Sequence, residues 1–160
     1  TYALGMLQTL LAGGQSSRLY KSLVDNQQLV VQTGAIPFAL EDAGVFAVYG
    51  FANMGVSLED IEAAIDEEIR KVVEEGLSEW EFQKLVNKTE NDFINQNTTM
   101  AGISNNLASY YTFYKDPGLI NTEIDKYLAV TPENIIEVAK KYLVPENRVI
   151  LHYLPKDQEQ

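Results

Sequence analysis

Side chains able to do chemistry are scarce in this chain. It holds one histidine, His152, and no cysteine. Catalytic zinc sites take three protein ligands, mostly His, with Cys, Asp or Glu. Neither H-E-x-x-H nor H-x-x-E-H can be written around one histidine, so no self-contained zinc site is expected. His152 reads as a strand-end or partner-facing residue. Serine chemistry has no better footing: Ser16 and Ser17 do not sit in a G-x-S-x-G elbow, and the candidate base is the distant His152. Eight acids lie between Ser57 and Glu75 (Glu59, Asp60, Glu62, Asp66, Glu67, Glu68, Glu74, Glu75), opposed by Arg70 and Lys71. That pattern describes a solvated helix face rather than a cation site. The run Tyr110-Tyr111-Thr112-Phe113-Tyr114 could line a peptide groove, but at helical spacing core packing is the simpler reading.

The stretch Ala12-Gly13-Gly14-Gln15-Ser16-Ser17-Arg18-Leu19-Tyr20 organises the rest. Two glycines end whatever helix precedes them, and Ser16 and Ser17 are natural N-caps for a second helix. Leu19 and Leu23 then fall on one face. A glycine-rich turn before a helix can also cradle phosphate. Here no Walker lysine or G-x-G-x-x-G follows, and a plain turn with a capped helix is the simpler reading.

The 160 residues predict one domain with a real core. Apolar residues at 46% and charged ones at 22% are ordinary for a globular chain. A formal charge of −11 without clustered Lys and Arg argues against nucleic-acid binding. No run approaches the ~20 apolar residues of a membrane span, and no signal-peptide pattern is visible. The absence of cysteine leaves the compartment open. Because the chain begins inside a helical pattern at Thr1-Tyr2-Ala3-Leu4, a fragment or processed product is expected.

Periodicity predicts a helix from Tyr2 to Leu11 with Leu4, Leu7 and Leu11 inward, and a serine-capped helix fading near Asn26. A strand from Gln28 to Phe38 follows, then a connection over Leu40–Gly44 and an antiparallel strand from Val45 to Ala52. Ser57 with Asp60, and Ser78 with Glu81, open two helices with capping-box spacing. Their inner stripes are Leu58, Ile61, Ile65, Ile69 and Val72, then Phe82, Leu85, Val86, Thr89 and Phe93. Further helices are expected over Ala101–Tyr114 and Ile120–Leu128. Another follows Thr131-Pro132 with Ile135, Ile136, Ala139, Tyr142 and Leu143 inward. A last strand is expected over Arg148–Leu154. The sum is an α+β fold, several helices layered on a small, mainly antiparallel sheet.

Gly13-Gly14-Gln15-Ser16-Ser17-Arg18-Leu19-Tyr20 closely resembles the Gly-Gly-x-x-Ser-Arg-Leu-Tyr/Phe signature of the pitrilysin/insulinase zinc metallopeptidases and mitochondrial processing peptidases. Tyr2-Ala3-Leu4 with Met6-Leu7 is similar to the helix before that signature. Gly76-Leu77-Ser78-Glu79-Trp80-Glu81-Phe82 resembles a later helix start of the family. Val130-Thr131-Pro132-Glu133-Asn134 with Val138-Ala139 and Tyr142-Leu143 resembles its last helical segment. The resemblance implies residues 1–160 are one partial domain of second, non-zinc type, half of a clam-shell and truncated on its N-terminal side. Zinc and its H-x-x-E-H would lie in a homologous partner domain or subunit, where metal-activated water attacks a peptide carbonyl. This chain would close the chamber and bind peptide substrate or the zinc-bearing domain. The signature residues would be structural or substrate-facing. Active second domains of the family carry an Arg and a Tyr at positions that fall on Val24 and Val31, so no catalytic residue is carried over. A non-catalytic subunit that binds protein partners is the alternative. Either way, an apolar face is expected to lie exposed.

Overall fold

The computed structural model describes residues 2–39 and 44–154. Helix α1 (Tyr2–Ala12) buries Met6, Leu7, Leu10 and Leu11, one face of a 3.6-residue period. It ends where the Gly13 amide donates to Thr9 O at 2.8 Å. Gly14 then adopts φ 110°, a left-handed conformation that strains any residue with a Cβ. The chain re-enters a helix at Arg18, but from Tyr20 to Asn26 the turn is π-type, with Gln27 N donating to Ser22 O five residues back. Leu19 and Leu23 are fully buried on its inner side.

The serines do not cap this helix. Ser16 is exposed, and the Ser17 hydroxyl is buried with no hydrogen-bond partner. The Ser17 carbonyl instead accepts from the Lys21 amide at 3.0 Å. With its side chain buried and its hydroxyl unpaired, Ser17 leaves the first-turn amides uncapped.

Strands β1 (Val30–Ala39) and β2 (Gly44–Ala52) form a two-stranded antiparallel sheet with a bulge at Val31. Directly opposed residues share a face. Ala35 opposite Val48 and Pro37 opposite Phe46 look toward the helices. Ile36 opposite Ala47, Phe38 opposite Val45 and Gln32 opposite Phe51 look outward. On that outer face Tyr49 lies over Gly34, where a Cβ would fall 2.4 Å from its phenol oxygen.

The side-chain caps expected at Ser57, Ser78 and Thr131 each start a helix, and Thr99 adds one outside those expectations. Ser57 accepts from Asp60 N at the head of α2 (Leu58–Glu74), although the reciprocal Asp60 contact is not made. Ser78 and Glu81 complete a reciprocal box at α3 (Glu79–Gln96). Helix α4 (Met100–Tyr114) is capped by Thr99. The predicted helix over Ile120–Leu128 resolves into a 3-10 turn, Pro117–Asn121, and α5 (Glu123–Leu128). Thr131 and Asn134 close the box of α6 (Pro132–Tyr142). Ile61, Val72, Leu85, Ile135 and Ala139 meet α1 in one core.

Four expectations are corrected. Residues 148–154 form no strand: among the described residues they pair with no sheet edge, and without a ladder an extended segment stays irregular. The aromatic run is not core. Helix α4 buries no residue, and Tyr111, Phe113 and Tyr114 are exposed, because α4 packs chiefly on the short 3-10 turn after it. Tyr142 turns outward at the end of α6. Finally, Glu68 is buried within the supposedly solvated acidic face, held by Lys71 Nζ at 2.8 Å. The predicted connection at residues 40–43 lies outside the described residues.

Truncating Ile135 to Ala, at the centre of the α1–α6 contact, is expected to cost about 2–5 kcal/mol. Urea unfolding should show a lower midpoint with unchanged slope. Met54→Ala, at a fully exposed site, should stay within about 0.5 kcal/mol of wild type.

Candidate functional site

The glycine signature and the Gly-Leu-Ser-Glu-Trp-Glu stretch meet through one side chain. Arg18 donates from Nε to Glu81 Oε1 and from Nη2 to Glu81 Oε2, both at 2.9 Å, and from Nη2 to Gly76 O at 2.7 Å. Glu81 serves two purposes, since its Oε2 also accepts from the Ser78 amide at 3.4 Å to complete the α3 cap. The arginine thus bonds the last turn of the α2–α3 corner and the first turn of α3 at once. Both side chains are largely withdrawn from water, at 15% and 27% exposure, where a bidentate pair is stronger than at the surface. The Arg18 hydrogen bond holds the Glu81 carboxyl below the usual carboxylate range, against the opposing effect of burial. One turn further along α3, Lys84 Nζ donates to Ser16 O at 3.1 Å.

These contacts border a half-open recess of about 30 Å³ beside Gly13, lined by Ser16, Ser17, Arg18, Glu81 and Lys84 among others. Of the remaining signature residues, Gly14 is at the exposed apex, Leu19 is core, and Tyr20 is half-buried. Val24 packs on the core and Val31 is exposed on the bulge of β1. Neither can donate a hydrogen bond.

Among the described residues no metal-holding constellation accompanies this turn. His152 Nε2 stands 3.9 Å from Glu62 Oε2. Arg148 already pairs with Glu62 and Asp66, which occupies the carboxylates a metal would need. Among the described residues no group of three His, Cys, Asp or Glu side chains is disposed to hold a metal ion. Zinc therefore does not fit these residues.

Sequence reasoning missed two features here. The spacing around Ser78 marks Glu81 only as a cap residue, and its partnership with Arg18 spans 63 positions with no local signal. The approach of Lys84 to the signature turn is equally non-local. Spacing within each motif was informative; spacing between them was not.

Residues 1–89 match the family described as Peptidase M16 inactive domain. The chain belongs to the peptidase M16 family. Two curated relatives are zinc proteases: PqqE of Helicobacter pylori, 26% identical over 140 residues, and an uncharacterized zinc protease of Streptomyces coelicolor, 22% identical over 142. The alignments cover 88% and 89% of this chain but 31% of each relative, so the chain spans about a third of their length. The fold matches the inactive peptidase domain of a Bordetella parapertussis protein with TM-score 0.84, over 99% of this chain and 86% of that one, at 18% identity. It also matches a Helicobacter pylori protease with TM-score 0.81 at 24% identity, over 89% of this chain and 34% of that one. The chain is thus an inactive-type M16 domain with the helix-rich, small-sheet fold of its structural neighbours.

Replacing Glu81 by Gln should cost about 1–3 kcal/mol at neutral pH, because Arg18 loses its charged acceptor. The difference from wild type should shrink with acid. A carboxyl whose native pKa is depressed adds stability in full above its unfolded value, near 4.3, and loses it as pH falls through the native value. Urea midpoints for both proteins across pH 3–7 check this.

Proposed function

We propose that this chain is the non-zinc half of an M16-type peptidase, pairing with a zinc-bearing homologous domain to close a peptide chamber. The observation that carries the reading is a coincidence of family and chemistry. An inactive-type M16 domain with zinc-protease relatives about three times as long places, among its described residues, no group of three side chains to hold a metal. Zinc and the activation of water would belong to the partner domain. What this half offers is surface. The outer sheet face of Ile36, Phe38, Val45 and Phe51 is exposed and apolar, the kind of patch that monomeric soluble proteins rarely leave uncovered. It suits apolar side chains of an extended peptide or the facing wall of the partner.

A second reading has its own support. Val24 and Val31 stand where the family resemblance places an Arg and a Tyr, and their aliphatic side chains suit a scaffold that binds without assisting cleavage.

The complete protein that carries this chain is expected to hold zinc and to hydrolyse peptides, while residues 1–160 alone do neither. Elemental analysis and a fluorogenic peptide assay check both. A complete protein free of stoichiometric zinc would favour the scaffold. Stoichiometric zinc on residues 1–160 alone would overturn both readings. Phe51→Ser in the complete enzyme should raise KM about tenfold, as loss of one large buried apolar contact requires, and an unchanged KM would remove the sheet face from the substrate path.

A further inference from the structure

Residues 148–154 keep the side-chain alternation of a strand, although no strand pairs with them. Val149, Leu151 and Tyr153 are 94, 84 and 92% exposed, whereas Ile150 is 47% exposed and the His152 side chain 41%. That is the period of two of an extended chain, and Arg148 opens it with φ −110° and ψ 151°. The even-numbered side lies on α2: Arg148 pairs with Glu62 and Asp66, and His152 Nε2 stands 3.9 Å from Glu62. Among the described residues, no backbone amide or carbonyl of 149–154 is paired with another.

Strand β2 lies on another side of the same helix. Ile61 packs against it, with a methyl group 3.4 Å from where a Cβ of Gly50 would lie. Phe46 and Val48 of β2 look toward the helices yet stay half-buried, whereas Val30 and Ala35 of β1 are buried. At about 100° per residue, Leu58, Ile65 and Ile69 fall about 40–80° round α2 from Ile61. Glu62 and Asp66 fall about 100–140° round in the same sense. An apolar, half-buried row thus runs between the contact with β2 and the contact with Arg148. On a helix ~10–12 Å across, a rotation of about 120° separates those contacts by roughly 9–10 Å. That is twice the ~4.8 Å spacing of neighbouring strands, room for one strand between them.

We propose that the groove over Leu58, Ile65 and Ile69 is a slot for one β-strand, joining β2 along one edge and residues 148–154 along the other. Its occupant is a segment of the complete protein's own chain outside residues 1–160. Length supports that source. This chain matches 86% of the solved Bordetella parapertussis inactive domain, which leaves about a seventh of that domain without a counterpart here. A strand needs only ~5–6 residues. Apolar residues at every second position of it would cover the α2 row, and its backbone would supply ladder partners to both edges. The sheet would then have four strands, with Val149, Leu151 and Tyr153 continuing its apolar outer face. The assignment is independent of the peptidase reading, since it needs neither zinc nor substrate.

Hydrogen–deuterium exchange on the complete protein reads the ladder directly. Amides of 149–154 are expected to exchange about a hundredfold or more slower than in a free peptide, as paired strands do. The protection should be the same at low and high protein concentration, with or without an added peptide substrate, and whether or not the protein holds zinc. Leu151→p-benzoylphenylalanine, on the outer face, should cross-link on illumination to a peptide of the same chain outside residues 1–160, identified by mass spectrometry. Exchange at the free-peptide rate would overturn the proposal. So would protection that rises with concentration or a cross-link between chains, which would put a second molecule in the slot. Protection that appears only with added peptide would give the slot to substrate, and a cross-link to β2 would leave no slot; either result overturns the assignment.

Discussion

The Arg18–Glu81 fork is the constraint on which the local architecture depends. A lysine ammonium has three donors but no planar fork to meet both oxygens of one carboxylate side by side. The planar guanidinium reaches both carboxylate oxygens and the Gly76 carbonyl in one geometry. The carbonyl it reaches belongs to a residue with φ 73°, at the end of α2, so the fork fixes the angle at which the chain leaves α2 and enters α3. Because Glu81 also caps α3, the tertiary bond and the local helix start share one carboxylate. Loss of either partner would loosen both.

That coupling explains why the signature turn can be irregular. A π-type turn and a buried unpaired hydroxyl are each unfavourable on their own. They persist where surrounding structure over-determines them. Leu19 and Leu23 anchor the segment from below, Arg18 from the side, and Lys84 from above the Ser16 carbonyl. The clasp spans the small recess between α1 and α3, so that Arg18 and Lys84 tie the signature turn to the start of α3.

What the sequence made legible was whatever is decided within a few residues. Ser57, Ser78 and Thr131 announce helix starts because a cap bonds to an amide three residues on. The two strands are legible because their β-branched and aromatic residues alternate. The π turn was not legible, since the same Leu19/Leu23 spacing suits either helix type. Nor was the exposure of Tyr111, Phe113 and Tyr114: an apolar stripe says that a face seeks a partner, without saying that the chain supplies one. The residues of 148–154 fail for the same reason, being strand-like in composition with no paired edge at hand. The candidate site followed suit. Its residues were visible as a family resemblance, whereas the Arg18–Glu81 pairing and the approach of Lys84 came only from the fold.

The uncovered apolar surfaces are best understood through the same logic. The outer sheet face, α4 and residues 149–154 expose large side chains that a self-sufficient domain would bury. Helix α4 has a capped start and an ordered end at Lys115, whose φ of 58° and bond to Tyr111 O close the last turn. Its helicity is therefore specified locally, while its burial is not. A helix built to hold its shape without a core of its own suits a surface that meets another protein. The clasped turn has the opposite character, braced from within the chain by Arg18, Glu81 and Lys84. An inactive-type domain can thus combine a braced turn at the head of α3 with broad apolar faces, the first specified within the chain and the second leaving large side chains uncovered.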